Sequence, residues 1–472
     1  MERVFDVIVV GAGPGGASLA ALLGRAGAST LILEKAHFPR DKVCGDGLTP
    51  RGLYWLNILG CLDEVLDAAP SYITDADLYV EGEHVLTGNY PAVSAYPGFS
   101  IVIPRRILDH IVLRHAVKCG AMFHPGCTVR NIRWEEDGVV VEGLSDGAPV
   151  SFKGQIVVGA DGANSMVSRC IGNRIREGLT AISMRGYYRG VQVKGSRIQV
   201  YFSEKYFPGY GWLFADESGL ANVGVGLTVD DDFPARSSLR RVYDDFVNQD
   251  LRDALEGGRP TGPARGGWTS FFLPKKQVTD RALLIGDAAN LGDPIRSDGI
   301  HMAMDSAHLA APAVLEALRR QDYSAAALGR YQTEWNRRNE FDWRIGELVL
   351  TASKNTELRD LLLTGVRMLA SMARKDEKFE QFIGGVFSGA NEPRALLSPA
   401  EWMGTAALHP STLLKALSTE ESGAVALARQ ALESARRVKS SPMPSLKWGV
   451  EVLAKTVGLA ECYTRNKLRM EA

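Results

Sequence analysis

The stretch DKVCGDGLTPRG, residues 41–52, places a thiol where it could take part in chemistry. Cys44 stands two positions after Lys42 and is followed by two closely spaced glycines, Gly45 and Gly47. Glycines let a ligand approach the backbone, and a thiol in such a loop is open to its surroundings. The opposite interpretation is that Cys44 is a small residue filling a tight loop. These twelve residues support both interpretations.

A second distinctive set of side chains lies in YFPGYGWLFADESGLANVGVGL, residues 206–227. Tyr210, Trp212 and Phe214 alternate with other residues, so in a β-strand all three side chains point to one face. An aromatic wall with little charge suits a long hydrocarbon substrate. The alternative is that the three rings only fill the core beneath a sheet.

The elements that position these residues begin at the N-terminus with a nucleotide-binding unit. The β-branched run FDVIVV predicts a buried strand, and it leads into GAGPGG with Gly11, Gly13 and Gly16 at G-x-G-x-x-G spacing and Pro14 between them. The Ala/Leu-rich segment that follows predicts a helix whose free N–H groups face a pyrophosphate. The next strand, STLILEK, ends in Glu34 and Lys35, where an acid can bind ribose hydroxyls.

Two later segments indicate which dinucleotide binds. QIVVGADGANSMVSR predicts a strand followed by Asp161 and Gly162, and RALLIGDAAN predicts another strand followed by Gly286 and Asp287. A long helix then begins near Gly299. Three dinucleotide-facing segments spread along the chain suit FAD lying across an interrupted domain and do not suit a compact NAD domain.

Over roughly residues 1–345 the sequence resembles the para-hydroxybenzoate hydroxylase superfamily of FAD enzymes, in which these motifs recur in this order. The resemblance implies that Asp287 contacts the ribityl or pyrophosphate part of FAD. It also implies that Arg105, four residues before an aspartate, lies on FAD, with Arg106 as a substitute. Backbone N–H groups around Gly299 and Ile300 are expected at the flavin pyrimidine, where a helix N-terminus stabilises reduced flavin.

The loop before Gly299 is also expected at the cofactor, but it departs from the superfamily pattern. It reads PIRSDG from Pro294, and Ser297 stands where relatives carry the first glycine of P-x-x-G-x-G. The substitution puts the local shape of the loop in question and leaves the expectation of FAD binding unchanged.

Two motifs resemble those of the geranylgeranyl reductase family. The cysteine loop matches K-x-C-G-G at Lys42, Cys44 and Gly45, with Asp46 where glycine is common. The aromatic stretch matches Y-x-W-x-F-P followed by G-x-G at Tyr210, Trp212, Phe214, Gly224 and Gly226, with Ala215 in place of the proline. Both motifs in one chain are more specific than either alone.

The family resemblance implies an FAD-dependent oxidoreductase that reduces C=C bonds of a prenyl chain by hydride transfer from reduced flavin. An isolated alkene needs a proton on the second carbon, and the motif places Cys44 and Gly45 beside the flavin as the catalytic pair. Tyr210, Trp212 and Phe214 are then expected to bind the substrate, a prenyl lipid or another hydrophobic small molecule. The two departures, Asp46 and Ala215, put the substrate in question more than the family.

The expected fold is α/β: a Rossmann-like FAD-binding domain of the GR2/PHBH type, an inserted antiparallel β-sheet domain for the substrate, and a C-terminal helical region. The alternating runs in the middle of the chain predict that sheet. The expected boundaries are 1–72, 104–178 and 276–345 for the FAD-binding domain, 73–103 and 179–275 for the substrate domain, and 346–472 for the helical region.

Three other functions stay open. A flavin-dependent halogenase typically needs W-x-W-x-I-P and a lysine past the first βαβ unit, whereas this chain reads YGWLFA and has no lysine between Lys42 and Lys118. A flavin-dependent monooxygenase (hydroxylase) is permitted by the fold, although the cysteine loop argues against it. A flavin-fold protein that only carries lipid or serves as a scaffold is opposed by the intact FAD motifs.

The composition limits which partners, metals and cell compartment we expect. The formal net charge is −1 and 45% of residues are hydrophobic, so nothing calls for nucleic acid. The six cysteines form no C-x-x-C pair, so we expect free thiols, no metal site and a cytoplasmic location. There is one glycine motif, so electrons are expected to come from transient NAD(P)H, or from a reduced ferredoxin or flavin delivered by a redox partner protein.

The last segment, residues 434–472, is basic, with eight Lys/Arg against three Glu. A solvated helical face explains such a composition. Peripheral contact with an anionic membrane, useful for extracting a prenyl lipid, is the alternative interpretation.

Overall fold

The computed structural model describes residues 3–69, 71–91, 95–174, 180–192, 197–229, 238–274, 276–392, 394–395 and 452–462. Nineteen strands and twelve α-helices lie in these ranges. Within them, none of the helices combines the length and the apolar composition that crossing a bilayer requires. Apart from 452–462, the basic segment 434–472 falls outside the described residues.

The strands are grouped into three sheets. They are β1 Val4–Val10, β2 Thr30–Leu33, β3 Gly47–Leu48, β4 Tyr72–Ile73, β5 Asp75–Val80, β6 Glu83–Asn89, β7 Ser100–Val102, β8 Met122–His124, β9 Cys127–Glu135, β10 Gly138–Ser145, β11 Ala148–Gly159, β12 Thr180–Arg189, β13 Arg197–Phe202, β14 Gly211–Ala215, β15 Leu220–Val229, β16 Arg259–Pro260, β17 Arg265–Ser270, β18 Val278–Thr279 and β19 Ala282–Leu284.

The helices cover the sheets and form the C-terminal part. They are α1 Pro14–Arg25, α2 Pro50–Leu59, α3 Leu62–Ala68, α4 Arg105–Lys118, α5 Met166–Cys170, α6 Leu239–Asp245, α7 Ile300–Arg320, α8 Ala325–Trp335, α9 Phe341–Ala352, α10 Thr356–Ala373, α11 Glu377–Ser388 and α12, residues 452–462. Short π-helical turns extend α6 and α8, at Phe246–Asp250 and Asn336–Glu340.

The first sheet has a parallel centre. Its order is β18-β19-β11-β1-β2-β8, with parallel pairs from β19 to β8 and a β9–β10 hairpin beside β11. The apolar run of β1 is buried because α1, α4 and α7 pack on the sheet. The chain segments that follow β1, β2, β11 and β19 therefore meet at one edge, the usual ligand edge of a parallel sheet. All four expected FAD motifs follow these strands.

The second sheet has the order β16-β12-β15-β14-β13-β5-β6, with β17 paired to the other edge of β12. Its pairs are antiparallel, as the alternating runs predict, except that β13 runs parallel to β5. The exception has a simple cause: β5 comes from a separate, earlier segment, and its long connection to β13 permits either direction. The predicted α/β fold with an inserted sheet and C-terminal helices is confirmed.

A small third sheet, β3-β7-β4, was not expected from the sequence. Its strand β3 directly follows the cysteine loop and pairs with β7. The C-terminal helices α10 and α11 pack on β6, where Phe379, Phe382 and Ile383 form a separate core with Val80 and Val85. The cysteine loop and helix α11 both line the second cavity beside residues of the second sheet.

Candidate active site

The glycine-rich loop after β1 is shaped by two glycines that the protein itself requires. Gly11 has φ +106°, and a Cβ there would lie 2.3 Å from the carbonyl oxygen of Ala160. A Cβ at Gly16 would lie 2.0 Å from the carbonyl oxygen of Gly11. At Gly13, by contrast, the nearest atom to an added Cβ is the Nη2 of Arg40, 3.9 Å away. The protein leaves space only at Gly13, the position at which the motif lets a pyrophosphate approach.

Glu34 stabilises this loop from the end of β2. Its buried carboxylate accepts hydrogen bonds from the backbone N–H of Ala12 at 2.9 Å and of Ala36 at 3.0 Å. Lys35, which follows it, is exposed. Neither residue lines the cavity described next, so their contact with a ribose stays a prediction.

A first cavity of about 220 Å³ opens at the ligand edge of the parallel sheet. It is lined by eight of the residues expected to bind FAD: Gly13, Pro14, Arg105, Gly162, Gly286, Asp287, Gly299 and Ile300. The N-terminus of α1 has no side-chain cap, so its N–H groups face this cavity. The uncapped helix and the free space at Gly13 fit the phosphates of a dinucleotide.

Arg105 is buried at this cavity by a network of charges. Its guanidinium binds both carboxylate oxygens of Asp109, Nε to Oδ1 at 2.6 Å and Nη2 to Oδ2 at 2.8 Å, and Arg40 binds the same carboxylate. Burial opposes the charge of Arg105, but the Asp109 carboxylate outweighs it and raises the pKa of the guanidinium. Arg106 is exposed, so the structure favours Arg105 over its neighbour.

Asp161 and Asp287 play different structural roles. The carboxylate of Asp161 accepts the Ser165 hydroxyl at 2.5 Å and the Met166 N–H at 2.6 Å, so it organises the start of α5 and does not line the cavity. Asp287 lines the cavity and lies 3.2 Å from the Nζ of Lys42. This ion pair joins the cysteine loop to the Gly286–Asp287 motif.

A second cavity, also about 220 Å³, lies beside the first. Both cavities are lined by Cys44, Gly45, Tyr210, Phe214, Ser297, Gly299 and Ile300. Its remaining wall is largely apolar and comes from β5, β6, β13 and α11: Ala76, Leu78, Leu86, Ile198, Val200, Phe202, Ile383 and Phe387. The contribution of α11 was not foreseen, because an amphipathic helix near the C-terminus has no local signal for a cavity wall.

The aromatic residues of β14 lie on one face, as the alternation predicts. The ring of Trp212 is 6.0 Å from that of Tyr210 and 6.4 Å from that of Phe214. Gly224 lies opposite Trp212 in β15, and a Cβ there would be 2.2 Å from the indole. The glycine of the G-x-G pair is therefore needed so that Trp212 can lie flat against the sheet.

The cysteine loop packs directly on these rings. A Cβ at Gly45 would lie 3.1 Å from the Cε2 of Phe214, and one at Gly47 would lie 3.2 Å from the same atom. Asn222 completes the contact: it accepts from the Trp212 Nε1 at 2.9 Å and donates to the carbonyl oxygen of Cys44 at 2.8 Å. The two motifs that are far apart in sequence thus form one surface.

Cys44 lies in the wall between the two cavities. Its sulfur accepts the backbone N–H of Asp46 at 3.3 Å. Burial raises the pKa of the thiol, and the nearby positive charge of Arg105 offsets only part of that effect. The thiol therefore stays protonated near neutral pH and can serve as a proton donor.

Two of the three departures from the family patterns, Asp46 and Ser297, keep a glycine-like backbone. Asp46 has φ 65° and Ser297 has φ 52°, both in the left-handed region that glycine occupies most readily. Asp298, next to Ser297, accepts the Thr49 hydroxyl at 2.8 Å, which ties this loop to the cysteine loop. The loop shape expected with glycine is therefore retained. Pro294 is buried against Gly346 of α9 and does not line the first cavity.

Comparison with known proteins identifies the family of this chain. Residues 4–341 match the family model described as FAD binding domain. The chain belongs to this family. It is an FAD-dependent oxidoreductase of the geranylgeranyl reductase-like group.

Two relatives of this chain are named as reductases of different substrates. The chain is 33% identical over 322 residues to the menaquinone reductase of Mycolicibacterium smegmatis, covering 66% of this chain and 76% of the relative. It is 30% identical over 342 residues to the digeranylgeranylglycerophospholipid reductase 2 of Methanopyrus kandleri, covering 70% of this chain and 82% of the relative.

Two solved structures share the fold. The geranylgeranyl bacteriochlorophyll reductase-like protein of Thermoplasma acidophilum aligns with a TM-score of 0.66 and 21% identity, over 91% of this chain and all of that one. The flavin-dependent halogenase CmlS aligns with a TM-score of 0.62 and 22% identity, over 75% of this chain and 66% of that one. At these identities the likeness concerns the fold alone.

Proposed function

We propose that this protein reduces C=C bonds of a prenyl chain, with FAD in the first cavity and the chain in the second. The observation that carries the proposal is the common wall of the two cavities, which contains Cys44 and Gly45. When bound and reduced, FAD supplies two electrons as a hydride equivalent. In the first cavity, the α1 N-terminus, Arg105 and Asp287 would hold it.

The second cavity suits a hydrocarbon chain because the four charged side chains that line it have partners. Asp77 lies 3.2 Å from Arg197, and the buried Asp46 accepts hydrogen bonds from Tyr187 and Asn222. Arg296 binds Asp293, with Nε 2.7 Å from Oδ2. Asp298 accepts the Thr49 hydroxyl at 2.8 Å and lies 2.7 Å from the Nδ1 of His301. The surface left for a ligand is aromatic and aliphatic, which favours burial of apolar area.

Cys44 is the proposed proton donor. An isolated alkene has no carbonyl to take up negative charge, so a proton must reach the second carbon as the hydride reaches the first. The raised pKa of the Cys44 thiol keeps a proton available at the wall between the cavities. A side chain at Gly45 would press on Phe214 at 3.1 Å, so the glycine lets the cysteine loop lie against the aromatic wall. Phe214 and Tyr210 would hold the alkene beside the thiol.

The relatives are named for the reduction of menaquinone and of a digeranylgeranyl lipid. We propose a substrate of the same chemical class, a lipid with an unsaturated prenyl chain. Halogenation is disfavoured: of the described residues, those lining the second cavity include no lysine, and Lys42 at the first cavity is paired with Asp287.

The role of Cys44 is tested by reducing the protein with dithionite without oxygen and following flavin absorbance after a prenyl lipid is added. Cys44→Ala is expected to bind FAD normally and to lower the reoxidation rate by roughly 10²-fold or more. The matched control is Cys170→Ala, because Cys170 is also half-buried and lines neither cavity. A wild-type rate in Cys44→Ala would rule out proton donation by this thiol.

A further inference from the structure

We propose that Asp46 and Tyr187 form a proton path that leads from the half-buried Tyr187 hydroxyl to Cys44. The inference rests on the proposed function, since it explains how the thiol regains the proton that the alkene takes. Asp46 is the residue that stands where the family favours glycine, so the path belongs to this chain's own version of the cysteine loop.

The inner end of the path is the Asp46 carboxyl. Asp46 lines the second cavity next to Cys44 and is only 1% exposed. Its Oδ2 accepts the Tyr187 hydroxyl and the Asn222 Nδ2, the latter at 2.9 Å, and its Oδ1 accepts the backbone N–H of Arg105 at 3.3 Å. A buried acid with this many donors is held in one position between the cavity and the sheet.

The outer end of the path is the Tyr187 hydroxyl group. Tyr187 is half-buried on β12 and lines neither cavity, so it reaches the Asp46 carboxyl from the side that faces away from the cavities. The guanidinium of Arg185 lies over the tyrosine ring, 4.3 Å from its centre, and is paired with the exposed Asp41 at 2.6 Å. Tyr187 is thus the link between the buried carboxyl and the protein surface.

The charges around Asp46 allow it to exchange a proton near neutral pH. Arg105 of α4 and Arg185 of β12 face it, with Tyr187 of β12 and the Cys44 thiol of its own loop. Burial raises the pKa of Asp46 to about 6, although the hydrogen bonds from Tyr187 and Asn222 oppose that rise. Both the acid and the carboxylate are therefore populated near neutral pH, so Asp46 can give up a proton and take one up again.

The proton balance of one turnover is complete. One alkene carbon receives the hydride equivalent and the other receives the Cys44 thiol proton, so two C–H bonds form and the π bond breaks. The Cys44 thiolate takes the proton of the Asp46 acid, directly or through one water molecule in the cavity that both residues line. The Asp46 carboxylate takes the Tyr187 hydroxyl proton while the tyrosine accepts one from solvent.

The coupling between Asp46 and Cys44 can be measured without any prenyl substrate. The FAD-loaded protein is alkylated with iodoacetamide at a series of pH values, and modification of Cys44 is followed by peptide mass spectrometry. Because the Asp46 charge raises the pKa of the thiol, Asp46→Asn is expected to shift the Cys44 profile to lower pH. A profile identical to that of the wild type would overturn the proposal.

The path itself is tested by Tyr187→Phe, which removes only the hydroxyl. Prenyl reduction by the dithionite-reduced variant is expected to slow about ten-fold or more, with a larger solvent deuterium isotope effect and unchanged KM. Tyr188→Phe is the control, because Tyr188 packs with Tyr243 and the other residues of the second sheet's own core. A wild-type rate and isotope effect in Tyr187→Phe would overturn the path.

The two experiments separate this inference from the proposed function. If the wild type reduces no prenyl lipid, the proposed function fails, and the alkylation profile decides whether Asp46 and Cys44 are coupled. If the wild type is active and both variants behave as it does, the proposed function stands and the proton path is wrong.

Discussion

Two loops reach the first cavity from the same sheet edge, and they are built in opposite ways. The loop 11–16 is formed by glycines, and its contacts come from backbone N–H groups at the start of α1. The loop 42–49 presents side chains: Lys42 to Asp287, Cys44 to the cavities and Asp46 to Tyr187. In the proposed function, the loop 11–16 would bind the cofactor through backbone N–H groups, whereas the loop 42–49 would act through its side chains.

The comparison predicts its largest effect for Gly16→Ala. The added Cβ would meet a backbone carbonyl oxygen at 2.0 Å, and neither atom belongs to a side chain that can move. We expect a loss of stability on the order of 3 kcal/mol or more, seen as a large fall in Tm or as insoluble protein. A variant with wild-type Tm would show that the loop is not constrained in this way.

Asp46→Asn is expected to have a pH-dependent effect. The folded pKa of Asp46 is about 6, above the ordinary value of 3.8, so folding favours the protonated form. The stability from that form is fully present below about pH 4 and is lost as pH rises through 6, by up to about 3 kcal/mol.

Asparagine does not titrate, so the Tm of Asp46→Asn relative to wild type should rise between pH 4 and 7. Thermal unfolding of both proteins across this range is the measurement, with Tyr188→Phe as the variant whose difference stays constant. A constant difference for Asp46→Asn as well would mean that Asp46 titrates normally.

Gly13→Ala separates cofactor binding from folding. Its Cβ has no protein atom closer than 3.9 Å, so the fold should be unaffected. The methyl group would occupy the space reserved for the pyrophosphate, and we expect FAD affinity to fall about ten-fold or more, which is about 1.4 kcal/mol. Titration of the apoprotein with FAD gives the Kd, and an unchanged Kd would place the phosphates elsewhere.

Gly45→Ala in the second loop should cost much less stability than Gly16→Ala in the first. Its Cβ meets the ring edge of Phe214 at 3.1 Å, and a side chain can move where a backbone cannot. We expect a loss of about 1 kcal/mol, measured as a small fall in Tm, and recovery in the double variant Gly45→Ala/Phe214→Leu. A loss as large as that of Gly16→Ala would remove the contrast between the loops.

The sequence predicted the features that depend only on residues close together along the chain. Strand, glycine loop, helix and Glu34 follow one another within one unit, so a dinucleotide-binding unit could be inferred from spacing alone. The alternation of Tyr210, Trp212 and Phe214 likewise predicted their common face, because the strand period is two.

What the sequence did not predict depends on pairing between distant segments. Asp46 meets Tyr187 and Asn222 only because β12 and β15 pair in the second sheet above the cysteine loop. Helix α11 reaches the second cavity only by packing on β6. Asp46 could have been singled out from the sequence. An acid at a position where glycine is common implies a left-handed backbone, which is unfavourable for an acid unless its carboxyl group makes stabilising contacts.

The central claim is that an unsaturated prenyl chain in the second cavity gains hydrogen and not oxygen. The dithionite-reduced protein is incubated without oxygen with a panel of prenyl lipids, and the products are weighed by mass spectrometry. The account predicts a gain of two hydrogens for each double bond reduced. Products that appear only with oxygen and carry an added oxygen or halogen atom, or no product from any prenyl lipid, would contradict it.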